Sequence, residues 1–251
     1  QGLGYKNFHV RVNERSIKDI SSSDIITNLG HIRPLDKLFL SQTKKNAVIS
    51  LMCEKWELRS QDIDIDYCRK KQIKVSGTWE NHPELKIFDN CGYLVAKLCF
   101  DFGFEIYQND ILVISNDKFG ETIFKKLKKF EPNSIELKKT NEIKEIRNKP
   151  ELIIIADYTN KQQIIGDRGA LSLKFLKDKY IIHLCGEIDF LFCKKNKISL
   201  YPKKNGYSFR MTKTLGYLGL KPVIDLHASG LKVGENMLNN IKSTINQPIV
   251  Y

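Results

Sequence analysis

The sequence predicts an α/β fold in which helices cover a parallel β-sheet, with a smaller α/β part at the amino-terminal end. Two observations support this prediction. Short runs of consecutive apolar residues, typical of strands buried on both faces, recur along the chain. Segments whose apolar residues follow helical spacing separate several of these runs. This alternation indicates parallel strands, because each parallel strand needs a crossover connection to the next.

The predicted strands are seven apolar runs, most of them flanked by polar or turn residues. They are NAVISLM (46–52), QIKVSG (72–77), DILVIS (110–115), SIEL (134–137), ELIIIADY (151–158), YIIHLCG (180–186) and PVIDLHA (222–228). Helical spacing predicts helices over 63–71, 90–102, 121–130 and 171–177. The first forty residues are less regular, and SSSD at 21–24 indicates a loop and the start of a helix.

The segment ILVISNDKFGETIFKKLKKF (111–130) has the order of a dinucleotide-binding unit: strand, tight turn and helix. The usual turn is G-x-G-x-x-G, but Ser115 and Asp117 occupy its first two glycine positions, and only Gly120 remains. Gly120 suits the third role, which is close packing of helix on strand. Asp117 would place a carboxylate where the diphosphate lies at a helix N-terminus. The segment from Ser115 through Asn116, Asp117, Lys118 and Phe119 to Gly120 is therefore either a cofactor loop or a capping loop that has lost its ligand.

The end of the next strand bears on cofactor choice. An acidic side chain usually holds the NAD ribose there, but SIELKKT places Lys138 and Lys139 at that position. Ammonium groups cannot accept hydrogen bonds from ribose hydroxyls, whereas they can pair with a 2′-phosphate. NADP is therefore favoured over NAD if a dinucleotide binds, and the alternative is two ordinary surface lysines.

A domain boundary is predicted near GTWENHPEL (77–85), which contains Gly, Asn and Pro and precedes a long helical pattern. We therefore expect an N-terminal α/β domain over 1–84, which would bind substrate. A Rossmann-like nucleotide-binding domain with a C-terminal return helix would follow over 85–251. A ligand cleft would lie between the two.

The composition excludes several classes of protein. The net charge is +12, but only eight of the 41 basic residues are arginine, and the lysines are scattered without a ladder of aromatic residues. We therefore interpret most of the lysines as a solvated surface, which argues against a nucleic-acid partner. No apolar run is long enough to span a membrane, and the amino-terminal residues do not resemble a signal peptide, so we expect a cytoplasmic protein. The six cysteines form no C-x-x-C pair, which predicts buried thiols and no metal site.

From about Ala47 to Met237 the order of elements resembles the D-2-hydroxyacid dehydrogenases and, more loosely, the adenosylhomocysteinase-like dehydrogenases. The segments that carry the resemblance are KKQIKVSGT (70–78), the helix over 90–102, ADYTNKQQIIGDRGALSLKFLKDKYIIHLCGEID (156–189) and DLHASGLKVGENM (225–237). The resemblance implies an NAD(P)-dependent oxidoreductase acting on a small polar metabolite. Within it, His227 matches the acid/base histidine. Cys185, beside Gly186, stands where the family has its substrate-binding arginine, and no residue matches the carboxylate that tunes the histidine.

Other polar residues follow predicted strands, where open α/β sheets bind ligands. Glu187 follows one strand, and Asp157 with Tyr158 ends another. Arg210 could supply the carboxylate or phosphate clamp that Cys185 cannot provide. The His183 side chain lies inside an apolar run, which favours a core histidine over a ligand.

Two functions remain open from the sequence, beside a third class, a nucleic-acid-associated protein, that only the net charge favours. One is an NAD(P)-dependent oxidoreductase-like protein with a degenerate cofactor loop, in which His227, Glu187 and Arg210 would act in catalysis. The other is a divergent protein without hydride chemistry, which would bind another nucleotide or metabolite or act as a scaffold for a partner. A homodimer is compatible with either function.

Overall fold

The computed structural model describes residues 16–28, 32–146 and 149–250. Contacts divide the chain into two compact units, one formed by Gln1–Trp79 with Ser229–Tyr251 and the other by Glu80–Ala228. Among the described residues, no helix is both long and apolar enough to cross a membrane. All six cysteines are buried, as predicted.

The first unit contains a four-stranded sheet. Its described elements are α1 (Ile17–Ser22), β1 (Ile25–Thr27), α2 (Lys37–Ser41), β2 (Val48–Ser50), α3 (Ile65–Lys71), β3 (Val75–Thr78) and β11 (Asn246–Val250). The strand order is β1-β2-β3-β11, with the first three strands parallel and β11 antiparallel to β3. Leu35, Ile49 and Val75 are fully buried at the centre of its core.

The second unit contains a five-stranded parallel sheet. Its elements are α4 (Ile87–Asp101), β4 (Asp110–Ile114), α5 (Lys118–Leu127), β5 (Ser134–Lys138), β6 (Leu152–Ala156), β7 (Gln163–Ile165), α6 (Leu173–Leu176), β8 (Tyr180–Cys185), β9 (Glu187–Ile188), α7 (Phe190–Lys195) and β10 (Ser199–Tyr201). The main sheet has the order β10-β8-β6-β4-β5. Every residue of β6 is buried, as expected for a strand covered on both faces. This unit has the predicted Rossmann-like architecture.

The strand order identifies the place where such sheets bind ligands. The chain passes from β4 to β5 on one side and then returns to β6 on the other side of β4. The direction of winding therefore reverses between β4 and β6, and the carboxyl ends of these two strands form the topological switch point.

Two secondary-structure predictions were wrong. PVIDLHA (222–228) is not a strand but part of α8 (Leu220–Leu238). Over a longer window Val223, Leu226, Val233 and Met237 follow helical spacing, and a proline is tolerated near a helix start. His227 therefore lies within a helix and does not end a strand.

The SSSD segment does not begin a helix either. Ser21 and Ser22 end α1, and β1 follows at Ile25. The hydroxyl of Ser23 caps the helix end by donating to the carbonyl oxygen of Asp19. Serine clusters occur at both ends of helices, so the pattern located a helix boundary but assigned it the wrong direction.

Candidate functional site

The candidate site lies at the switch point, where a network of polar side chains joins the ends of β4 and β6. We call Ser115, Asn116, Asp117, Thr140, Asp157 and Asn160 the switch-point network. The Asp157 carboxylate, fully buried, accepts hydrogen bonds from the Asn116 backbone N–H at 3.0 Å and from the Asn116 amide at 2.6 Å. It also accepts hydrogen bonds from the Thr140 hydroxyl and the Asn160 amide. Four donors therefore satisfy this buried charge within the protein itself.

Asp117 forms the second half of the network. As the N-cap of α5 it accepts the Phe119 N–H at 3.0 Å. Its other carboxylate oxygen accepts the Tyr158 N–H at 2.7 Å and the Thr159 N–H at 3.3 Å, both just beyond β6. The carboxylate therefore occupies backbone donors on both sides of the switch point, including one at the N-terminus of α5, where this fold binds a phosphate.

Burial raises the pKa of the Asp117 carboxyl group to about 6, and the nearby Asp157 carboxylate adds to this effect. The three backbone N–H donors act in the opposite direction because they favour the charged form. Asp117 is therefore a carboxyl group that can gain a proton under mildly acidic conditions.

Gly120 packs α5 closely against β4 and β5. A Cβ atom on Gly120 would lie 2.3 Å from the Ser115 Cβ and 2.9 Å from a methyl group of Leu137. The Ser115 hydroxyl also accepts the Gly120 N–H at 3.1 Å. This geometry matches the role of the third glycine in the dinucleotide-binding turn, which is close packing of helix and strand.

Aromatic rings pack beside this turn. The Phe119 and Tyr158 rings stack with centroids 5.1 Å apart, and Phe209 meets Tyr158 edge-on at 5.6 Å. The Phe209 N–H also donates to the Tyr158 carbonyl oxygen. The segment after β10 therefore reaches the switch point and contributes an apolar contact there.

The remaining predicted cofactor residues lie at the same edge of the sheet. The Cys185 carbonyl oxygen accepts the Asp157 N–H at 3.2 Å. Gly186 has a φ of 115°, and a Cβ there would lie 3.2 Å from the Asp157 carbonyl oxygen. The carbonyl oxygen of Lys138 accepts the Ser115 N–H, while Lys139 and Lys118 are exposed.

The predicted catalytic residues are not all brought together. Glu187 accepts the backbone N–H and the hydroxyl of Ser208 at 2.7 and 2.8 Å, and Arg210 lies two residues further along this segment. His227 is partly exposed on α8, and within the described part of the chain its ring has no hydrogen bond with either residue.

His183 is a core residue, as predicted. It is fully buried in β8, and burial lowers the pKa of its imidazole to about 4, so the ring is neutral at pH 7. The Nε2 atom donates to the Gly186 carbonyl oxygen at 3.1 Å. Its Nδ1 atom has no hydrogen-bond partner among the described residues.

Sequence reasoning missed Thr140 and Asn160, the side chains that complete the shell around Asp157. A local signal existed for Asn160, because an Asp and an Asn three residues apart after a strand suit a hydrogen-bonded turn. Thr140 gave no such signal. It reaches Asp157 only because β5 and β6 flank β4 in the folded sheet.

Comparisons with solved structures identify the fold, whereas comparisons of the sequence assign the chain to no family. No protein-family model matches the chain, and no curated protein matches it. D-lactate dehydrogenase from Escherichia coli has a TM-score of 0.62 and 12% identity, with 92% of this chain and 87% of that chain covered. NAD⁺-bound 3-phosphoglycerate dehydrogenase from Entamoeba histolytica has a TM-score of 0.58 and 13% identity, with 96% and 88% covered. NAD-dependent formate dehydrogenase from Staphylococcus aureus has a TM-score of 0.57 and 11% identity, with 94% and 85% covered.

The chain has a dehydrogenase fold. The chain shares this fold with the solved dehydrogenases named above, which confirms at the level of fold the resemblance drawn from the sequence.

The switch point does not fit the diphosphate that this fold implies. The backbone donors beside α5 and β6 already bind the Asp117 carboxylate, and a diphosphate placed there would meet a second negative charge. Asn116 is also bound to Asp157 through both its backbone and its side chain. The turn therefore satisfies its own hydrogen bonds without a bound anion.

Proposed function

We propose that this chain is a divergent protein of the dehydrogenase fold whose Ser115–Gly120 turn does not take up a nicotinamide dinucleotide. It would bind another small metabolite at the carboxyl edge of the five-stranded sheet, without hydride transfer. The observation that supports the proposal is the Asp117 carboxylate, which accepts the Tyr158 and Thr159 N–H groups and caps α5. An internal carboxylate in this position competes with a diphosphate for the same donors.

Titration of the purified chain with NAD and NADP tests the proposal. We expect no saturable heat of binding for either cofactor up to about millimolar concentration, the upper end of ordinary enzyme affinities. Replacing Ser115 and Asp117 together by glycine removes the carboxylate and should create measurable binding. The matched control is Asp167→Gly, because Asp167 is an exposed carboxylate outside the network. Micromolar binding of either cofactor by the unmodified chain would contradict the proposal.

One observation favours a second candidate, an NADP-dependent oxidoreductase acting on a small polar metabolite. Lys138 ends β5 beside β4, and Lys139 follows it as an exposed residue, and this position after the second strand supports a contact of both lysines with a 2′-phosphate. In this candidate the Asp117 contacts must break when the cofactor binds. His227, Glu187 and Arg210 remain its proposed catalytic residues. Replacing both lysines by alanine would then weaken binding of NADP far more than of NAD, whereas equal effects would identify ordinary surface lysines.

A further inference from the structure

The loop from Pro202 to Lys213, here called the basic loop, carries a net positive charge. Its sequence PKKNGYSFRMTK contains four basic residues and no acidic residue. It follows β10 and crosses the carboxyl edge of the sheet, where α/β proteins bind ligands. The Gly186 N–H donates to the Tyr207 carbonyl oxygen, and the Phe209 N–H donates to that of Tyr158. These bonds fix the loop against the segments that follow β8 and β6.

Buried contacts hold the base of the basic loop in place. Thr212 donates from its N–H to the Leu184 carbonyl oxygen and from its hydroxyl to that of His183, at 2.7 and 2.6 Å. The Lys204 ammonium group donates in turn to the Thr212 carbonyl oxygen. A Cβ at Gly206 would lie 1.9 Å from the His183 ring, so only glycine fits at this point of the loop. The loop is therefore positioned by the core of the sheet.

Three of the four cations of this loop, Lys204, Arg210 and Lys213, influence one another electrostatically. Lys204 and Arg210 line the same pocket. Burial lowers the pKa of the Lys204 ammonium group, and the positive charges of Lys213 and Arg210 lower it further. The Arg210 guanidinium lies 5.9 Å from the centre of the Tyr207 ring, so these two side chains of the loop are neighbours. Among the described residues, no carboxylate lies within 4.0 Å of any of these three cations.

Nearby carboxylates have other partners. Glu187 is bound by the N–H and the hydroxyl of Ser208. Asp101 pairs with Lys97 at 3.0 Å and accepts the Tyr217 hydroxyl at 2.8 Å. Lys213 lies over the Tyr217 ring at 4.3 Å and contributes to the field at Asp101. These carboxylates reduce the local charge, but they do not pair directly with Lys204 or Arg210.

We propose that the basic loop binds the phosphate group of a small phosphorylated metabolite. The loop lines a solvent-open pocket of about 230 Å³, formed by Lys204, Gly206, Tyr207, Arg210 and Thr212 among others. A cavity of this size accommodates a phosphate group with a small attached skeleton. The guanidinium of Arg210 can hold two phosphate oxygens at once, and Lys204 supplies a second positive charge. The inference rests on the proposed function in that it names the ligand class for the same sheet edge, but its site uses neither Asp117 nor the switch-point network.

Calorimetric titration of the full chain with inorganic phosphate, at constant ionic strength set by chloride, tests this proposal. We expect saturable binding that Arg210→Gln weakens by at least about tenfold, through loss of a charge-assisted two-pronged contact. Arg210→Lys, which keeps the charge but loses the planar fork, should fall between that variant and the wild type. The matched control is Lys203→Gln, because Lys203 is an exposed cation of the same loop that does not line the cavity. It should change the affinity by less than about twofold.

The outcomes separate the alternatives. No saturable binding of phosphate, or equal losses in Arg210→Gln and Lys203→Gln, would overturn the proposal, since either result leaves only a diffuse surface charge. Binding confined to polynucleotides, with affinity falling steeply as salt rises, would also overturn it in favour of a nucleic-acid surface. Arg210 is exposed, so its variants should melt at the wild-type temperature, and a fall in melting temperature would count against a binding role. NADP binding that is abolished by Arg210→Gln belongs to this loop and not to the switch point, provided that replacement of Ser115 and Asp117 leaves it unchanged.

Discussion

The switch-point network and the basic loop lie at the same edge of one sheet, but they differ in whether the chain itself supplies partners for their charged groups. In the network, each carboxylate is satisfied by donors of the chain itself: Asp157 by side chains and a backbone N–H, and Asp117 by three backbone N–H groups. In the basic loop, Lys204 and Arg210 line one pocket, and no carboxylate is paired with either within the described chain.

This difference indicates where a ligand can gain binding energy. A ligand at the network must displace hydrogen bonds that already exist, and it recovers at best what it breaks. A phosphate at the basic loop forms charge-assisted hydrogen bonds with little to displace beyond water and one carbonyl contact of Lys204. The proposed anion site therefore lies at the edge where this fold usually binds ligands, but it lies near the ends of β8 and β10 and not at those of β4 and β6.

The largest effect should come from breaking the network at Asp157. Asp157→Ala leaves the buried Thr140 hydroxyl without its acceptor and also removes the hydrogen bonds of the exposed Asn116 and half-buried Asn160 amides. We expect the free energy of unfolding to fall by at least about 3 kcal/mol. Urea unfolding followed by circular dichroism measures this change. The control Asp167→Ala removes an exposed carboxylate and should stay within about 0.5 kcal/mol of the wild type. Similar stability of the two variants would show that the hydrogen bonds of Asp157 do not stabilise the fold at the switch point.

A smaller effect concerns the pH dependence contributed by Asp117. Its folded-state pKa of about 6 lies above its ordinary value of 3.8, so between these values the folded chain binds more protons than the unfolded chain. The contribution of this group to stability is therefore present below about pH 4 and is lost as the pH rises through about 6. Two pKa units at about 1.4 kcal/mol each correspond to a loss of roughly 3 kcal/mol, and residual exposure reduces this figure.

Asp117→Asn provides the comparison, because asparagine still caps α5 but does not titrate. From pH 4 to pH 7 the wild type should lose stability relative to this variant, as measured by urea unfolding at each pH. A difference between the two proteins that stays constant over this range would mean that the Asp117 carboxyl group is not perturbed. The network would then hold an ordinary ionised carboxylate, and the contrast with the basic loop would be sharper still.

The sequence predicted most of the sheet because strand and helix periodicities are local. Six of the seven predicted strands exist, whereas PVIDLHA was too short a window to distinguish a buried strand from a helix. The strand β11 was missed because it contains Pro248, and a proline argues against a central strand. It is tolerated because β11 lies at the edge of its sheet.

The candidate site was less predictable because its decisive contacts join distant parts of the chain. That Asp117 caps α5 follows from local sequence, and the structure confirms it. That its carboxylate also binds the N–H groups of Tyr158 and Thr159 depends on β4 and β6 lying side by side. The convergence of Lys204 and Arg210 likewise depends on the path of the basic loop, which the spacing of its basic residues does not determine.

The smallest effect should come from Gly120, which tests the packing beneath the network without changing a charge. Gly120→Ala places a Cβ 2.3 Å from the Ser115 Cβ, a contact that neither α5 nor β4 can relieve by rotating a side chain. We expect a loss of about 1–3 kcal/mol in the free energy of unfolding, the usual cost of overpacking. Gly216→Ala is the matched control, since the nearest atoms to a Cβ there lie 3.6 Å and 3.7 Å away. That variant should be neutral or slightly stabilising, because alanine restricts the unfolded chain more than glycine does. If Gly120→Ala is as well tolerated as Gly216→Ala, α5 can move away from β4, and the turn is then loose enough for a ligand to enter where Asp117 now lies.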